Sequence, residues 1–471
     1  MRPFEILLIS LLALAAVILS AGKLRVRFSR RVLAVAFGVL VLHVWIEGPH
    51  WQMGPAYLAF LLLGASLLVR ARLGRRLLAG ISLLSLMAAV ALCSALPMFK
   101  LPTPTGPYPV ATTIFSVTDP NRLEDAVHDG SKREMVVQAW YPTREARGKL
   151  APYRRWAETT LASSYQRFVW THAYLNGEVS TSGAPFPVLI FEPAMYNRRT
   201  AYGFLVEEFA SLGYVVFAID HPYNTGPVEL ASGKVLGVPP ATITDNLGSI
   251  DVEGFYKRVE PELEKQTADT TFLLDTLARW NSDPSSLFYR QLDLNRIGAI
   301  GHSLGGSVAA EVAARDPRIH AVFDMSGPLF GRARKKGSAA TLFFMTEHIS
   351  FFDSTALAKM SPNVRVGSEI DMTVINEALA MISRQGGYYA ELPTENHSIF
   401  SDRGLFSQWT RFAGEDPAVT RRMHDAITRY AVAFFQQTLE GRPSPLLKEE
   451  PSPLTGVTFR AVPPPSSSPP A

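Results

Sequence analysis

The run Arg296-Ile297-Gly298-Ala299-Ile300-Gly301-His302-Ser303-Leu304-Gly305-Gly306 changes character at its centre. Up to Ile300 it is short and apolar, as a buried strand is. Beyond it, Ser307 to Arg315 is an alanine-rich helical run that stops near Asp316-Pro317. Between the two stands Gly301-x-Ser303-x-Gly305. A strand turning sharply into a helix at a serine flanked by glycines is the pattern of a nucleophile elbow. The turn strains the serine backbone and lifts its hydroxyl clear of the sheet, and side chains at the flanking positions would strike the strand and the helix. Ser303 is thereby the candidate nucleophile. Leu304, the residue after it, offers one backbone N–H to a developing oxyanion.

Working outward, apolar strands alternate with helical runs. Val110 to Val117 and Glu134 to Tyr141 read as a strand pair. Pro187 to Glu192, Tyr214 to Asp220, Ala321 to Met325, Ala340 to Met345 and Tyr388 to Leu392 read as buried strands. Tyr202 to Leu212, Asp251 to Trp280, Ile370 to Arg384 and Pro417 to Leu439 read as helices, and so does the aromatic stretch Trp156 to Leu175, as a cap or a packed insertion. This alternation predicts a mainly parallel α/β sheet flanked by helices, with the site outside the strands' C-terminal ends. The catalytic domain is expected over 101–440. From Gly441 proline and serine dominate, which predicts a disordered tail over 441–471.

The first hundred residues differ. Phe4 to Ala21, Val32 to Ile46, Ala56 to Val69 and Leu77 to Met98 are apolar runs that predict about four transmembrane helices over 1–100. Lys23, Arg25, Arg27, Arg30 and Arg31 fill the first linker, Arg70, Arg72, Arg75 and Arg76 the third, and the alternate linkers carry almost no positive charge. Positive charge on alternate short loops predicts that those loops are cytoplasmic. The N-terminus and everything after Lys100 are then extracytoplasmic, on the periplasmic face of a bacterial inner membrane. Residues 1–100 carry +9 of a total of +4, so the remainder is −5. The basic balance therefore belongs to the membrane loops, and nucleic acid is not an expected partner. Cys93 is the single cysteine, so no internal disulfide forms. No metal-ligand spacing is legible and no cofactor is expected.

A serine hydroxyl needs an adjacent base. In an elbow fold the partners follow in the order serine, acid, histidine. Of His320, His348, His397 and His424, His397 lies in a polar loop just after the last strand, where the base belongs, with His348 as reserve. Two acids suit the orienting role, Asp324 at the end of one strand and Glu347 at the end of the next, and spacing leaves both open.

From about Thr105 to Glu440 the chain resembles the secreted, plasma-type platelet-activating-factor acetylhydrolases and their bacterial relatives, which include polyester hydrolases. The resemblance is carried by Thr105-Gly-Pro-Tyr-Pro-Val110, Ala139-Trp-Tyr-Pro142, Ile297 to Gly306, the strand ending at Asp324 and the His397 loop. It implies an α/β-hydrolase fold with Ser303, Asp324 and His397 as nucleophile, acid and base, and Met195 as the second oxyanion amide beside Leu304. Relatives carry a His-Gly pair in the oxyanion loop where this chain has Pro193-Ala194, and the apolar N-terminal runs lie outside the resemblance. The expected activity is that of a membrane-anchored serine esterase acting on a small ester or a lipid. The alternatives are a peptidase or acyltransferase on the same triad, or a non-catalytic membrane scaffold.

Overall fold

The computed structural model describes every residue except 21–25, 128, 238–245, 408–415, 449 and 465–471. Lys23, Arg25 and the end of the Pro/Ser tail thus lie outside the described residues. The chain divides into two units. One is Met1–Lys100 with Pro152–Trp170 and Arg403–Val419; the other is Leu101–Ala151, Thr171–Asp402 and Thr420–Ala471. The second unit begins at Leu101, and two later segments belong with the first.

The first unit is built on four helices, α1 (Pro3–Ser20), α2 (Val26–Leu42, continued by a wider turn over His43–Glu47), α3 (Gly54–Ser66) and α4 (Arg72–Ala95). Three helices, Pro3–Ser20, Val26–Glu47 and Arg72–Ala95, are long and apolar enough to cross a membrane. The expected third span is helical over only 13 residues, about 20 Å at 1.5 Å per residue, short of the roughly 30 Å hydrocarbon core. Small residues face inward: Ala15, Ala16, Ala36, Ala56, Ala59, Ala79 and Ala89 are buried. Large apolar residues face outward, with Phe37, Leu61, Leu68, Leu73, Leu84 and Met87 exposed. That is the reverse of a water-soluble bundle. Gln52 Nε2 donates to the Leu96 carbonyl at 3.3 Å and the Arg2 guanidinium to the Glu47 carbonyl. These bonds gather the start of α1, the ends of α2 and α4 and the approach to α3 at one end. Arg76 Nε donates to the Ser20 carbonyl at 3.3 Å, which puts the start of α4 and the end of α1 at the other.

The helix expected over Trp156 to Leu175 does not form. Two 3-10 turns, Trp156–Glu158 and Ser164–Phe168, lead into a strand at Trp170. Hydroxyls compete for the backbone here: Ser163 Oγ accepts from the Thr160 N–H at 2.9 Å and Ser164 Oγ donates to the Leu161 carbonyl at 2.8 Å. Phe99, Tyr153 and Phe406 pack ring on ring, with centroids 5.0 to 5.9 Å apart, and tie both later segments to the end of the helical unit.

In the second unit the strands are β1 (Val110–Leu123), β2 (Lys132–Pro142), β3 (Leu150–Pro152), β4 (Trp170–Leu175), β5 (Phe186–Glu192) and β6 (Val215–Asp220). After a small ribbon, β7 (Val228–Glu229) and β8 (Val235–Leu236), come β9 (Leu292–His302), β10 (Ile319–Met325), β11 (Thr341–Glu347), β12 (Gly387–Leu392) and β13 (Thr458–Val462). Eleven of them form one sheet in the order β13-β12-β11-β10-β9-β5-β6-β2-β1-β4-β3. From β6 through β5, β9, β10 and β11 to β12 the pairing is parallel; β2 joins β6, and β13 joins β12, antiparallel. The helices are α5 (Gly203–Ser211), α6 (Val252–Ser282), α7 (Leu304–Arg315), α8 (Gly331–Lys336), α9 (Ser354–Ala358), α10 (Pro362–Gln385) and α11 (Pro417–Glu440). Strand residues alternate between two cores. Val188, Ile190 and Phe344 join residues of α6, α7 and α10 in one core. Phe323 and Phe343 pack on Phe434 of α11 from the other face. This is the α/β-hydrolase architecture, and it delivers the ends of β5, β9, β10 and β11 to one edge.

The tail expected to be disordered from Gly441 instead returns to the sheet. Thr458-Phe-Arg-Ala-Val462 alternates like a strand, and Gly387 pairs with Val462 along the edge of β12. Phe459 is buried and stacks on Tyr430 at 5.1 Å. Truncating that ring should open a cavity between α11 and the sheet. Phe459→Ala is expected to cost about 3–5 kcal/mol, read as a lower melting temperature of the full-length protein in detergent. A melting temperature equal to the parent's would show that β13 adds nothing to the unit.

Candidate active site

Ser303 occupies the turn between β9 and α7 at φ 56° and ψ −124°, a left-handed conformation that L-residues avoid. Its N–H donates to the Met325 carbonyl at 2.8 Å, so the strained residue is held from β10. The glycines around it are there for space. A Cβ on Gly301 would strike the Gly305 carbonyl, and one on Gly305 would strike the Glu192 carbonyl. The elbow read from the sequence therefore forms, with Leu304 as the first residue of α7, where the helix itself gives its N–H no partner.

Ser303, Leu304, Met195, Glu347 and His397 line one cavity of about 270 Å³. Its remaining walls are mostly apolar, from Phe255, Val259, Phe330, Ile349, Ile370 and Val374, with Asp371 and Glu395 among the polar groups. His397 sits on the loop after β12, at the mouth, with 48% of its side chain exposed. Its Nδ1–H donates to Glu347 Oε1 at 2.7 Å, which leaves Nε2 for the serine side. Desolvation by the cavity wall depresses the imidazole, but the hydrogen bond and charge of Glu347 outweigh it and hold its pKa above the ordinary value. Burial alone would raise Glu347, yet the charge and hydrogen bond of His397 keep its carboxyl below the usual range. The two shifts agree on an ion pair.

The acid implied by the resemblance is not the one that meets the histidine. Asp324 is fully buried beneath the elbow. Its Oδ1 accepts the Gly327 N–H at 2.8 Å, and its Oδ2 has no partner among the described residues. Gly306 and Gly327 close on this carboxyl so tightly that a Cβ on either would meet it. Burial pushes its pKa well above the ordinary value, opposed only by the Gly327 N–H. Glu347, one strand further from β9, has the longer side chain and reaches the His397 loop. The reserve base His348 bonds Glu391 at 2.6 Å and does not line the cavity.

The loop after β5, which carries Met195, hangs on a residue that sequence reading missed. Tyr202, fully buried, accepts the Ala194 N–H at 2.9 Å and the Asn197 amide at 3.2 Å. Its own proton goes to His302 Nδ1 at 3.0 Å. Burial, and the neighbouring His397, depress His302 well below its ordinary value, so it stays neutral and can accept. The His302 ring lies 4.8 Å from that of His397. Beneath the loop, Glu192 accepts from His221 Nε2–H at 2.9 Å, and His221 Nδ1–H donates to Asp269 at 2.8 Å. Asp269 in turn accepts from Arg133 at 2.7 Å. No local motif marks these groups; they converge only in the fold.

Residues 96–228 match the family described as platelet-activating factor acetylhydrolase, isoform II. Over 275 residues the chain is 27% identical to a probable 1-alkyl-2-acetylglycerophosphocholine esterase of Arthroderma benhamiae, covering 53% of this chain and 65% of that protein. Over 238 residues it is 22% identical to a platelet-activating factor acetylhydrolase of Canis lupus familiaris, covering 47% and 53%. The matches thus span less than two thirds of either curated relative. A solved ferulic acid esterase from Streptomyces cinnamoneus aligns with a TM-score of 0.57 at 24% identity, over 77% of this chain and 99% of that one. That likeness is one of fold.

The two acids separate by titration. Glu347→Gln should lower the His397 pKa, because desolvation, which lowers it, is larger than the upward pull of the Asp371 charge that remains; Asp324→Asn should leave it in place. Histidine proton resonances followed against pH report both. Stability gives an independent reading. An acid whose folded pKa lies above its unfolded one destabilises the fold progressively as pH rises from about 3.9 towards the folded value. Asp324→Asn, a mimic of the protonated acid, should therefore melt with the parent near pH 4 and above it at pH 8. Equal melting at both would mean that Asp324 carries no such burden.

Proposed function

From the kinship of this chain with the platelet-activating-factor acetylhydrolases, we propose that it is a membrane-anchored serine esterase that cleaves carboxylic esters through an acyl-enzyme. The observation that carries the reading is the Ser303 elbow opening into the same cavity as the His397–Glu347 pair. Ser303 Oγ attacks the ester carbonyl while His397 Nε2 takes its proton. Glu347 fixes the tautomer and stabilises the imidazolium. The N–H groups of Leu304 and Met195 bind the oxyanion. The alcohol leaves with the proton from His397, and water activated by the same imidazole releases the acid and restores Ser303. The apolar walls and the cavity volume favour an ester with a short acyl chain, lipid or free.

Ser303→Ala should lose on the order of 10⁴ to 10⁶ in rate, together with labelling by a fluorophosphonate; hydrolysis of p-nitrophenyl acetate within tenfold of the parent would end the assignment. The base must be neutral to act, and its pKa is raised. The acid limb of kcat/KM should therefore have its midpoint above 6.5, and Glu347→Gln should move that midpoint down while lowering the rate far more than Asp324→Asn does.

Anchoring rests on three membrane-length helices, their outward-facing large side chains and the basic first and third linkers. α3 is short, but it runs from the Glu47 end of the bundle to the Arg76 end, which supports a fourth crossing. If α3 did not cross, the Arg70–Arg76 loop would share a side with the Glu47 loop, which has no Lys or Arg, against the positive-inside rule. The hydrolase unit is then extracytoplasmic. Alkaline phosphatase fused after Lys100 should be active, whereas a fluorescent signal from a cytoplasmic-only reporter at the same site would reverse the topology.

A further inference from the structure

The helical unit holds a buried polar cluster that the proposed esterase does not use. Glu5 stands in the first turn of α1, His50 between α2 and α3, and Cys93 near the end of α4, all buried. A carboxylate oxygen, an imidazole nitrogen and the sulfur of these three lie within 4.8 Å of one another. Nothing in the local sequence marks them, since they are separated by more than forty residues each and meet only because three segments share one end of the bundle.

The orientation of His50 is decided by its neighbour. The Gln52 amide nitrogen donates to the Leu96 carbonyl, so its oxygen faces His50 Nδ1, at 2.8 Å. Nδ1 must then carry a hydrogen, and Nε2 points at Glu5 Oε1 at 3.0 Å. A lone pair cannot face a carboxylate at that distance without a positive charge between them. A proton can supply it, and so can a metal ion in the proton's place. An imidazole that donates its far N–H to a fixed amide oxygen is the usual outer support of a metal ligand. The spacing also suits: two ligands on a tetrahedral ion with bonds of about 2.0–2.1 Å stand roughly 3.3 Å apart.

We propose that Glu5, His50 and Cys93 bind one divalent transition-metal ion, Zn²⁺ by preference, which ties α1, the α2–α3 connection and α4 together at this end of the bundle. Thiolate with imidazole disfavours Mg²⁺ and Ca²⁺. The exchange balances. Zn²⁺ displaces one proton from the His50–Glu5 contact and one from the Cys93 thiol, so the charge of the site is unchanged and two protons leave. Arg2, which bonds Glu5 Oε1 through Nε at 2.5 Å and donates to the Glu47 carbonyl, remains as a partner of the carboxylates. Glu5 also falls in a second group with His43 and Glu47, and this can supply the outer carboxylate.

The test uses untagged full-length protein in detergent, stripped with a chelator and then given Zn²⁺ or Co²⁺. One equivalent of zinc should be retained after desalting, and Co²⁺ should bring a thiolate-to-cobalt charge-transfer band. Cys93→Ala should abolish the band and lower zinc affinity at least a hundredfold; Gln52→Leu, which removes the outer support and the bond to the Leu96 carbonyl but no ligand, should lower it about 10–100-fold. If Cys93→Ala does not fold, the parent protein still decides: Zn²⁺ should protect Cys93 from maleimide. Sub-stoichiometric metal with no protection would reduce the cluster to an ion pair, and zinc retained equally by Cys93→Ala would place the metal elsewhere. Either result overturns the proposal.

Discussion

The first turn of α7 is pressed against the ends of β5 and β9, and the rest of the site follows from that contact. Gly305 meets the Glu192 carbonyl and Gly301 meets Gly305 with no room for a side chain. The chain has one residue in which to pass from strand to helix, and Ser303 takes a left-handed backbone to do it. Ser326, which lines the same cavity, and Tyr196, next to Met195, also have positive φ, 63° and 60°. Each such residue costs on the order of 1–3 kcal/mol and persists only where its surroundings over-determine it. Here they do. Ser303 N–H is held by Met325, Tyr196 N–H by Asn224 and Ser326 N–H by Met345, so strain sits at the cavity while hydrogen bonds to neighbouring strands and loops fix it.

A second constraint lies below the first. Glu192 closes β5 immediately before the loop that carries Met195 and is fully buried. A buried carboxylate needs a partner, and His221 provides one by giving a proton to Glu192 and another to Asp269. Desolvation would depress this imidazole, but the two carboxylates overcome it and push its pKa up to about 9. Its contribution to stability is therefore complete below about pH 6.5, where the unfolded ring is also protonated, and is lost as pH rises through about 9. Arg133 carries the same chain of charge on to Glu124, so the floor of the loop is anchored to β2 and α6 as well as to β5.

The parallel core of the sheet was legible because its strands are continuous apolar runs and its helices are long. So were the elbow at Ser303 and the place of His397 beside the same cavity, because an elbow and a polar loop after the last strand have local signatures. The acid had none. Asp324 and Glu347 both end strands, and only the fold reveals that one is sealed under Gly306 and Gly327 while the other reaches the imidazole. The segment after Pro152 misled for a different reason: its aromatic content looks helical, but closely spaced Thr and Ser side chains bind the backbone locally. In the tail, five strand-forming residues sit among prolines, too few to stand out from the composition around them. Contacts made across the sequence, such as Tyr202 with His302 or His221 with Glu192, leave no trace in any window of the chain.

The oxyanion loop shows how a departure in sequence is absorbed by an accounting of donors. Each N–H of a buried loop needs a partner. Pro193 has none to place. Ala194 gives its N–H to Tyr202, Tyr196 to the Asn224 carbonyl and Asn197 to the Ala194 carbonyl. Met195 is left as the amide of this loop with no bond among the described residues, and Met195 lines the cavity beside Leu304. Pro193 thus removes a donor where none is needed and stiffens the entry to the turn. The Tyr202 hydroxyl couples the loop that carries Met195 to His302, the residue before Ser303. Three bonds hold this tyrosine to the loop and to the end of β9, and preorganised donors of this kind are what oxyanion stabilisation at the proposed site would require.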